Sequence, residues 1–133
     1  NGSFVFAADL MREITVPAEI SFVKMSSYAG TSSTGTVKQL IGLNDDIKGR
    51  TIIIVEDIIE SGLTMKAILA QLAEKQPEAI HICTLLLKPD CLETQLDIRY
   101  TAFEIPNDFI VGYGLDYDQQ GRNLKDIYTV VEE

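Results

Sequence analysis

The run Thr51-Ile52-Ile53-Ile54-Val55 constrains this chain more than any other stretch. It is β-branched, apolar at consecutive positions and preceded by the turn Lys48-Gly49-Arg50, as expected of a central strand in a parallel sheet covered on both faces. The polar segment Glu56-Asp57-Ile58-Ile59-Glu60-Ser61-Gly62-Leu63-Thr64 follows. Beyond it Met65, Ile68, Leu69 and Leu72 recur at i, i+3, i+4 and i+7, the stripe of an amphipathic helix. After Pro77 a second apolar run, Ala79 to Leu87, is placed to return as the parallel strand of a βαβ unit. The expected fold is α/β, with a mostly parallel central sheet flanked by helices.

The flanks are read more coarsely. Phe4, Ala7, Ala8, Met11 and Ile14 predict a helix closed by Val16-Pro17. Ile20 to Met25 is strand-like. Residues 26–36 are rich in Ser, Thr and Gly, cannot bury a face, and are read as a flexible loop. From residue 89 onward the helical period is lost. Tyr100 to Ile105, Phe109 to Tyr113 and Ile127 to Val131 are read as short strands of an antiparallel hood or flap. With 133 residues and no internal repeat, residues 1–133 are expected to form a single domain.

Composition excludes some function classes. A formal charge of −9 and pI near 4.5 disfavour nucleic-acid binding, which needs a basic face to neutralise phosphates. No apolar run approaches the roughly 18 to 20 residues of a membrane span. Cys83 and Cys91 lack metal-ligand spacing and are read as reduced thiols, consistent with a cytoplasmic protein. His81 lies inside an apolar run with no nucleophile or ligand set to pair with, and is read as a core histidine.

In open α/β sheets, ligands sit beyond the carboxyl ends of the strands, so Glu56 to Thr64 is the prime candidate site. Glu60-Ser61-Gly62-Leu63-Thr64 combines hydroxyls, a glycine permitting close backbone approach and the free amides of a helix N-terminus. Together these can hold a phosphate without a large positive charge. The segment is neither GxxxxGK[ST] nor GxGxxG. The adjacent carboxylates Glu56 and Asp57 could accept hydrogen bonds from vicinal ribose hydroxyls or lie near a sugar-bound magnesium ion. The plainer reading is a helix cap, with Ser61 or Thr64 as N-cap.

Val55 to Thr64 resembles the phosphoribosyl-pyrophosphate signature of type I phosphoribosyltransferases, in its hypoxanthine-guanine version. Ser26-Ser27-Tyr28 resembles that subfamily's flexible loop, Leu87-Lys88-Pro89 its purine-binding lysine strand, and Phe103-Glu104-Ile105-Pro106 with Phe109 through Tyr117 its hood. Asn1-Gly2-Ser3 is similar to its short pyrophosphate-contacting loop. The resemblance therefore implies an upstream strand and helix that this chain lacks, and an N-terminally incomplete domain.

Transfer of ribose 5-phosphate from phosphoribosyl pyrophosphate to a 6-oxopurine, with Mg2+, is the reaction this resemblance implies. It assigns phosphoribosyl pyrophosphate to Asn1, Gly2, Ser27, Tyr28, Glu56, Asp57, Glu60, Ser61, Gly62, Leu63, Thr64 and Arg122. Purine binding falls to Lys88, Phe109, Ile110 and Asp116, and metal contacts to Glu56, Asp57 and Asp116. Glu60 would be the general base at purine N7, one methylene longer than the family's aspartate. A homo-oligomer, dimer or tetramer, is also implied. Without the resemblance Lys88 reads as a surface lysine, Phe109 as core and residues 26–36 as a linker. The rivals are a sensor of phosphoribosyl pyrophosphate or a nucleotide with the same fold, and an inactive fragment with an open sheet edge.

Overall fold

The computed structural model describes residues 1–29 and 36–131. Helix α1 (Phe4–Glu13) is followed by an antiparallel ribbon of β1 (Lys24–Ala29) and β2 (Thr36–Ile41). Then come β3 (Thr51–Ile59), α2 (Leu63–Ala73), β4 (Ala79–Leu87), a 3-10 turn at Pro89–Cys91 and β5 (Tyr100–Glu104). A short antiparallel pair, β6 (Ile110–Val111) and β7 (Tyr128–Thr129), completes the described chain.

Strands β3, β4 and β5 form one sheet in that order, every pair parallel. The β3–α2–β4 unit follows the expected plan, with β4 spanning the expected residues. Helix α2 buries Met65, Ile68 and Leu72. Met65 packs with Ile59, Ile82 and Leu87, while Ile68 and Leu72 pack with Ile47 and against Ile52, Ile54 and Ile80. A third cluster, Leu85, Leu86 and Leu115, gathers Phe6 of α1, Ile58, Ile105, Ile110, Tyr113 and Ile127.

Four expectations are corrected. Strand β3 runs to Ile59, so Glu56 and Asp57 are strand residues rather than loop; pairing of Glu56 with Thr84 and Ile58 with Leu86 carries the ladder through them. The coverage of β3 is uneven: Ile53, opposite His81, is 51% exposed, because α2 covers the side carrying Ile52 and Ile54. Strand β5 is not part of an antiparallel flap. Residues 88–99 cross back over the sheet, so Tyr100–Glu104 enters parallel to β4, with Leu86 opposite Phe103. Finally, residues 26–29 and 36 are strand, with Ser26 opposite Gln39. Their ribbon is anchored by the cross-strand neighbours Met25 and Leu40, which pack towards Ile68 and Leu72, and by the Leu40 amide donating to Gln71 Oε1 at 2.7 Å. The rest of the expected loop, residues 30–35, lies outside the described residues.

Ile82, 1% exposed, is at the centre of the Met65 cluster. Ile82→Val should cost about 1 kcal/mol, because loss of one buried methylene leaves a small void in a packed core. Urea denaturation should show a lower midpoint with an unchanged m-value.

Candidate active site

Strands β3 and β4 end side by side, and their carboxyl ends carry the candidate residues. At Ile59 the strand gives way to Glu60-Ser61-Gly62, and α2 begins at Leu63. Gly62 has φ +81, a left-handed conformation that glycine adopts without a Cβ penalty. A Cβ there would also meet Leu96 Cδ1 at 2.8 Å and Thr94 Cγ2 at 3.2 Å. The loop is thus pressed against the crossover segment, and the Glu93 amide secures it by donating to the Ser61 carbonyl at 2.9 Å. Ser61 Oγ accepts from the Leu63 amide at 3.3 Å, but the N-cap of α2 is Gly62, which offers no side-chain cap, rather than Ser61 or Thr64 as expected: Ser61 lies one residue before it and Thr64 is already inside the helix. Glu56, Ile58, Ile59, Glu60, Ser61, Gly62, Thr64 and Met65 line a cavity of about 200 Å³.

Glu56 lines that cavity, and Asp57 follows it in β3. Burial, and then the hydrogen bond and charge of Asp57, push the Glu56 carboxyl up to about 8. The Asp57 carboxylate lies against the backbone of Gly2: a Cβ on Gly2 would stand 1.9 Å from Asp57 Oδ2. Gly2 is itself buried. Its carbonyl lies against Gly114, where a Cβ would approach to 2.5 Å. The N-terminal segment, the strand carboxylates and the residues after β6 are therefore neighbours.

The raised Glu56 value sets a sign for stability. The folded protein holds this proton up to about pH 8, whereas an ordinary carboxyl releases it near 4.5. The stabilisation is fully present below about 4.5 and is lost as pH rises through about 8. Unfolding free energy of the metal-free protein should consequently fall across that window, and Glu56→Gln should flatten the fall; denaturant titrations at several pH values measure both.

Lys88 follows β4 and is 5% exposed, not a surface lysine. Its amide donates to the Ile59 carbonyl at 3.0 Å. Its ammonium donates to Glu60 Oε2 at 3.2 Å and to Asn107 Oδ1 at 3.4 Å. Glu60, with a side chain 54% exposed, thus spans from the cavity to the buried cation. Phe109 is 57% exposed rather than core, and meets Tyr117 edge to face, with ring centroids 5.5 Å apart and planes at 81°. Ile110 is partly buried and pairs with Thr129.

Asp116 Oδ2 accepts from the Gln119 amide at 2.9 Å, and its other oxygen lies 3.4 Å from Arg122. Arg122 also donates to the Gly114 carbonyl at 2.8 Å and borders an open cavity of about 500 Å³ with Phe4, Val5, Asp9 and Tyr113. Leu63 and Thr64 open α2. Asn1 is exposed next to Gly2. The backbone of Ser27 and Tyr28 belongs to β1; their side chains lie outside those described. Asn107, Thr94 and Leu96 were absent from the sequence reading. For Asn107 the available signal was the preceding Pro106, which marks a turn beside the expected hood.

Glu56, Asp57 and Asp116 do not form one ligand cluster: among the described residues no group of three or more His, Cys, Asp or Glu side chains is placed to hold a metal ion. Two separate carboxylate positions suit an ion that arrives with most of its coordination supplied by phosphate oxygens and water, as magnesium commonly does. Cys83 and Cys91 are free and partly buried, and burial pushes the Cys83 thiol up. His81 is partly buried within β4. Among the described residues no helix is long and apolar enough to cross a membrane.

This chain belongs to the phosphoribosyl transferase domain family, whose model matches residues 1–118, and its parallel sheet with flanking helices is the type I fold of that family. It is 47% identical over 130 residues to a hypoxanthine-guanine phosphoribosyltransferase of Mycobacterium avium, covering 97% of this chain and 64% of that protein. It is 45% identical over 131 residues to a hypoxanthine phosphoribosyltransferase of Escherichia coli K12, covering 98% and 74%. A crystal structure of a hypoxanthine-guanine phosphoribosyltransferase from Bacillus anthracis superposes with a TM-score of 0.85 at 41% identity, over 98% of this chain and 78% of that one. The chain thus spans about two thirds to three quarters of the length of these relatives, and 64% of the mycobacterial protein.

Proposed function

We propose that this chain catalyses purine salvage: transfer of the 5-phosphoribosyl group of phosphoribosyl pyrophosphate to hypoxanthine, and to guanine, forming IMP or GMP and pyrophosphate. The observation that carries this reading is the convergence, at the carboxyl ends of β3 and β4, of a carboxylate pair, a glycine-hinged loop and a buried lysine paired to Glu60. Each part suits one portion of the substrates. The free amides and hydroxyls of Glu60 to Thr64 suit the 5-phosphate. Glu56 and Asp57 suit the ribose hydroxyls, Asn1, Gly2 and Arg122 the pyrophosphate, and Ser27 and Tyr28 closure over the site.

The proposed chemistry is displacement at the anomeric carbon. A purine ring nitrogen forms the new bond to carbon as the bond to pyrophosphate breaks, through a transition state with oxocarbenium character. The nearby Asp57 carboxylate stabilises the developing cation, and Glu56 joins it once its proton is lost. Glu56, Asp57 or Asp116 would contact a magnesium ion carried with the phosphoribosyl pyrophosphate substrate, which would neutralise charge on the leaving group. Glu60 takes the proton from purine N7. Lys88 donates to the purine O6, Phe109 stacks on the ring, and Ile110 and Asp116 meet its far edge. A cytoplasmic homo-oligomer, dimer or tetramer, completes the proposal.

Product binding tests the base selection apart from turnover. A lysine donor finds an acceptor in the 6-oxo group of IMP but not in the 6-amino group of AMP. Calorimetry should therefore give IMP at least about tenfold tighter binding than AMP; equal affinities would contradict the assignment of Lys88.

A further inference from the structure

We infer that Asn107 is a positioning residue for the Lys88 ammonium, and through it helps set the preference for a base with a hydrogen-bond acceptor at its 6-position. The inference rests on the reading of Lys88 as the purine O6 donor. Lys88 is 5% exposed, so bulk water contributes little to satisfying its three N–H donors. Glu60 Oε2 accepts one at 3.2 Å and Asn107 Oδ1 another at 3.4 Å, leaving one for a ligand.

The two partners differ in kind. A carboxylate that takes up the substrate proton ceases to be a strong acceptor for its neighbour, so Glu60 loosens its hold during the reaction. Asn107 carries no charge and does not titrate. It keeps the ammonium aimed throughout, and it leaves the positive charge available to polarise the purine oxygen.

Local backbone geometry supports this role. The Ile105 amide donates to the Leu87 carbonyl at 2.8 Å, tying the end of β5 to the residue before Lys88. Pro106 fixes its own φ. The Asp108 amide donates to the Pro106 carbonyl at 2.8 Å, closing a tight turn with Asn107 at its centre. Phe109 emerges two residues later. The turn that brings Asn107 to Lys88 therefore also launches the ring proposed to stack on the base.

The test compares wild type, Asn107→Leu and Asn107→Asp by steady-state kinetics with hypoxanthine and phosphoribosyl pyrophosphate, alongside thermal melting. Asn107→Leu, which removes the acceptor at similar volume, should raise the KM for hypoxanthine about tenfold while the KM for phosphoribosyl pyrophosphate stays within about twofold. Asn107→Asp restores an acceptor and should bring the hypoxanthine KM back to within about threefold of wild type. An unchanged hypoxanthine KM in Asn107→Leu, an equal rise in both KM values, or no rescue by Asn107→Asp would each overturn the inference. Should Asn107→Leu fail to fold, the Asn107→Asp and Asn107→Ala pair makes the same comparison. Wild-type protein that turns over no 6-oxopurine would overturn the proposed reaction and this inference with it, whereas normal wild-type turnover with indifferent variants overturns the inference alone.

Discussion

Glu60→Gln should lower the turnover of hypoxanthine by about 10²- to 10⁴-fold, the contribution typical of a positioned general base. Affinity for phosphoribosyl pyrophosphate should stay within about twofold of wild type, because the variant removes an interaction that matters in the transition state. The fold should survive. The Glu60 side chain is 54% exposed, and the glutamine carbonyl oxygen still accepts from Lys88. Single-turnover kinetics together with equilibrium binding of phosphoribosyl pyrophosphate measure the two effects. A variant that binds the sugar substrate normally and still turns over at the wild-type rate would remove Glu60 from the role of base. The base proposed for this chain is a glutamate, and its carboxylate reaches the buried ammonium at 3.2 Å. That pairing gives the longer side chain a defined anchor, at a position where about 1 Å of misplacement can cost a hundredfold in rate.

Lys88→Met should reduce kcat/KM for hypoxanthine by about a hundredfold, corresponding to loss of a hydrogen bond from a charged donor worth 1.5–3 kcal/mol. Binding of phosphoribosyl pyrophosphate should change far less. Methionine fills most of the volume of the lysine stem. Removing the charge leaves no uncompensated buried ion, because the partner carboxylate of Glu60 faces solvent. Thermal melting should therefore shift little while base use collapses. Equal losses for base and sugar phosphate would mean that Lys88 shapes the whole site rather than the purine end.

The parts legible in sequence were those with a strong local signature. The β-branched run at Thr51 and the stripe Met65, Ile68, Leu69, Leu72 define a strand and a helix by their own periodicities, and the loop between them follows. The extent of β3 was hidden because Glu56 and Asp57 are polar: side chains that serve a ligand at the end of a strand have the composition of a loop. The ribbon of β1 and β2 was hidden for a related reason. Its Ser and Thr residues advertise a linker, and its anchoring depends on Met25 and Leu40 meeting α2, a contact that local spacing does not encode. The parallel entry of β5 was illegible because alternation marks a strand but not its neighbour. Lys88 read as exposed on spacing alone; the partners of its buried ammonium, Glu60 and Asn107, lie 28 and 19 residues away in the chain.

The site residues named from the resemblance are gathered to differing degrees. Glu56, Glu60, Ser61, Gly62 and Thr64 share one cavity, and Gly2 reaches Asp57 through the close backbone approach that only a glycine permits. Arg122 and Asp116 form a second group beside Gly114. Phe109 is exposed, lines neither of these two cavities, and meets Tyr117 edge-on. The proposed reaction needs these groups to act on one substrate pair, which turnover can establish directly.

The deciding measurement is IMP formation from hypoxanthine and phosphoribosyl pyrophosphate with and without magnesium, with adenine as the control base. Magnesium-dependent IMP formation is expected, with little or no AMP from adenine. No IMP under saturating substrates, or adenine used as readily as hypoxanthine, would contradict it.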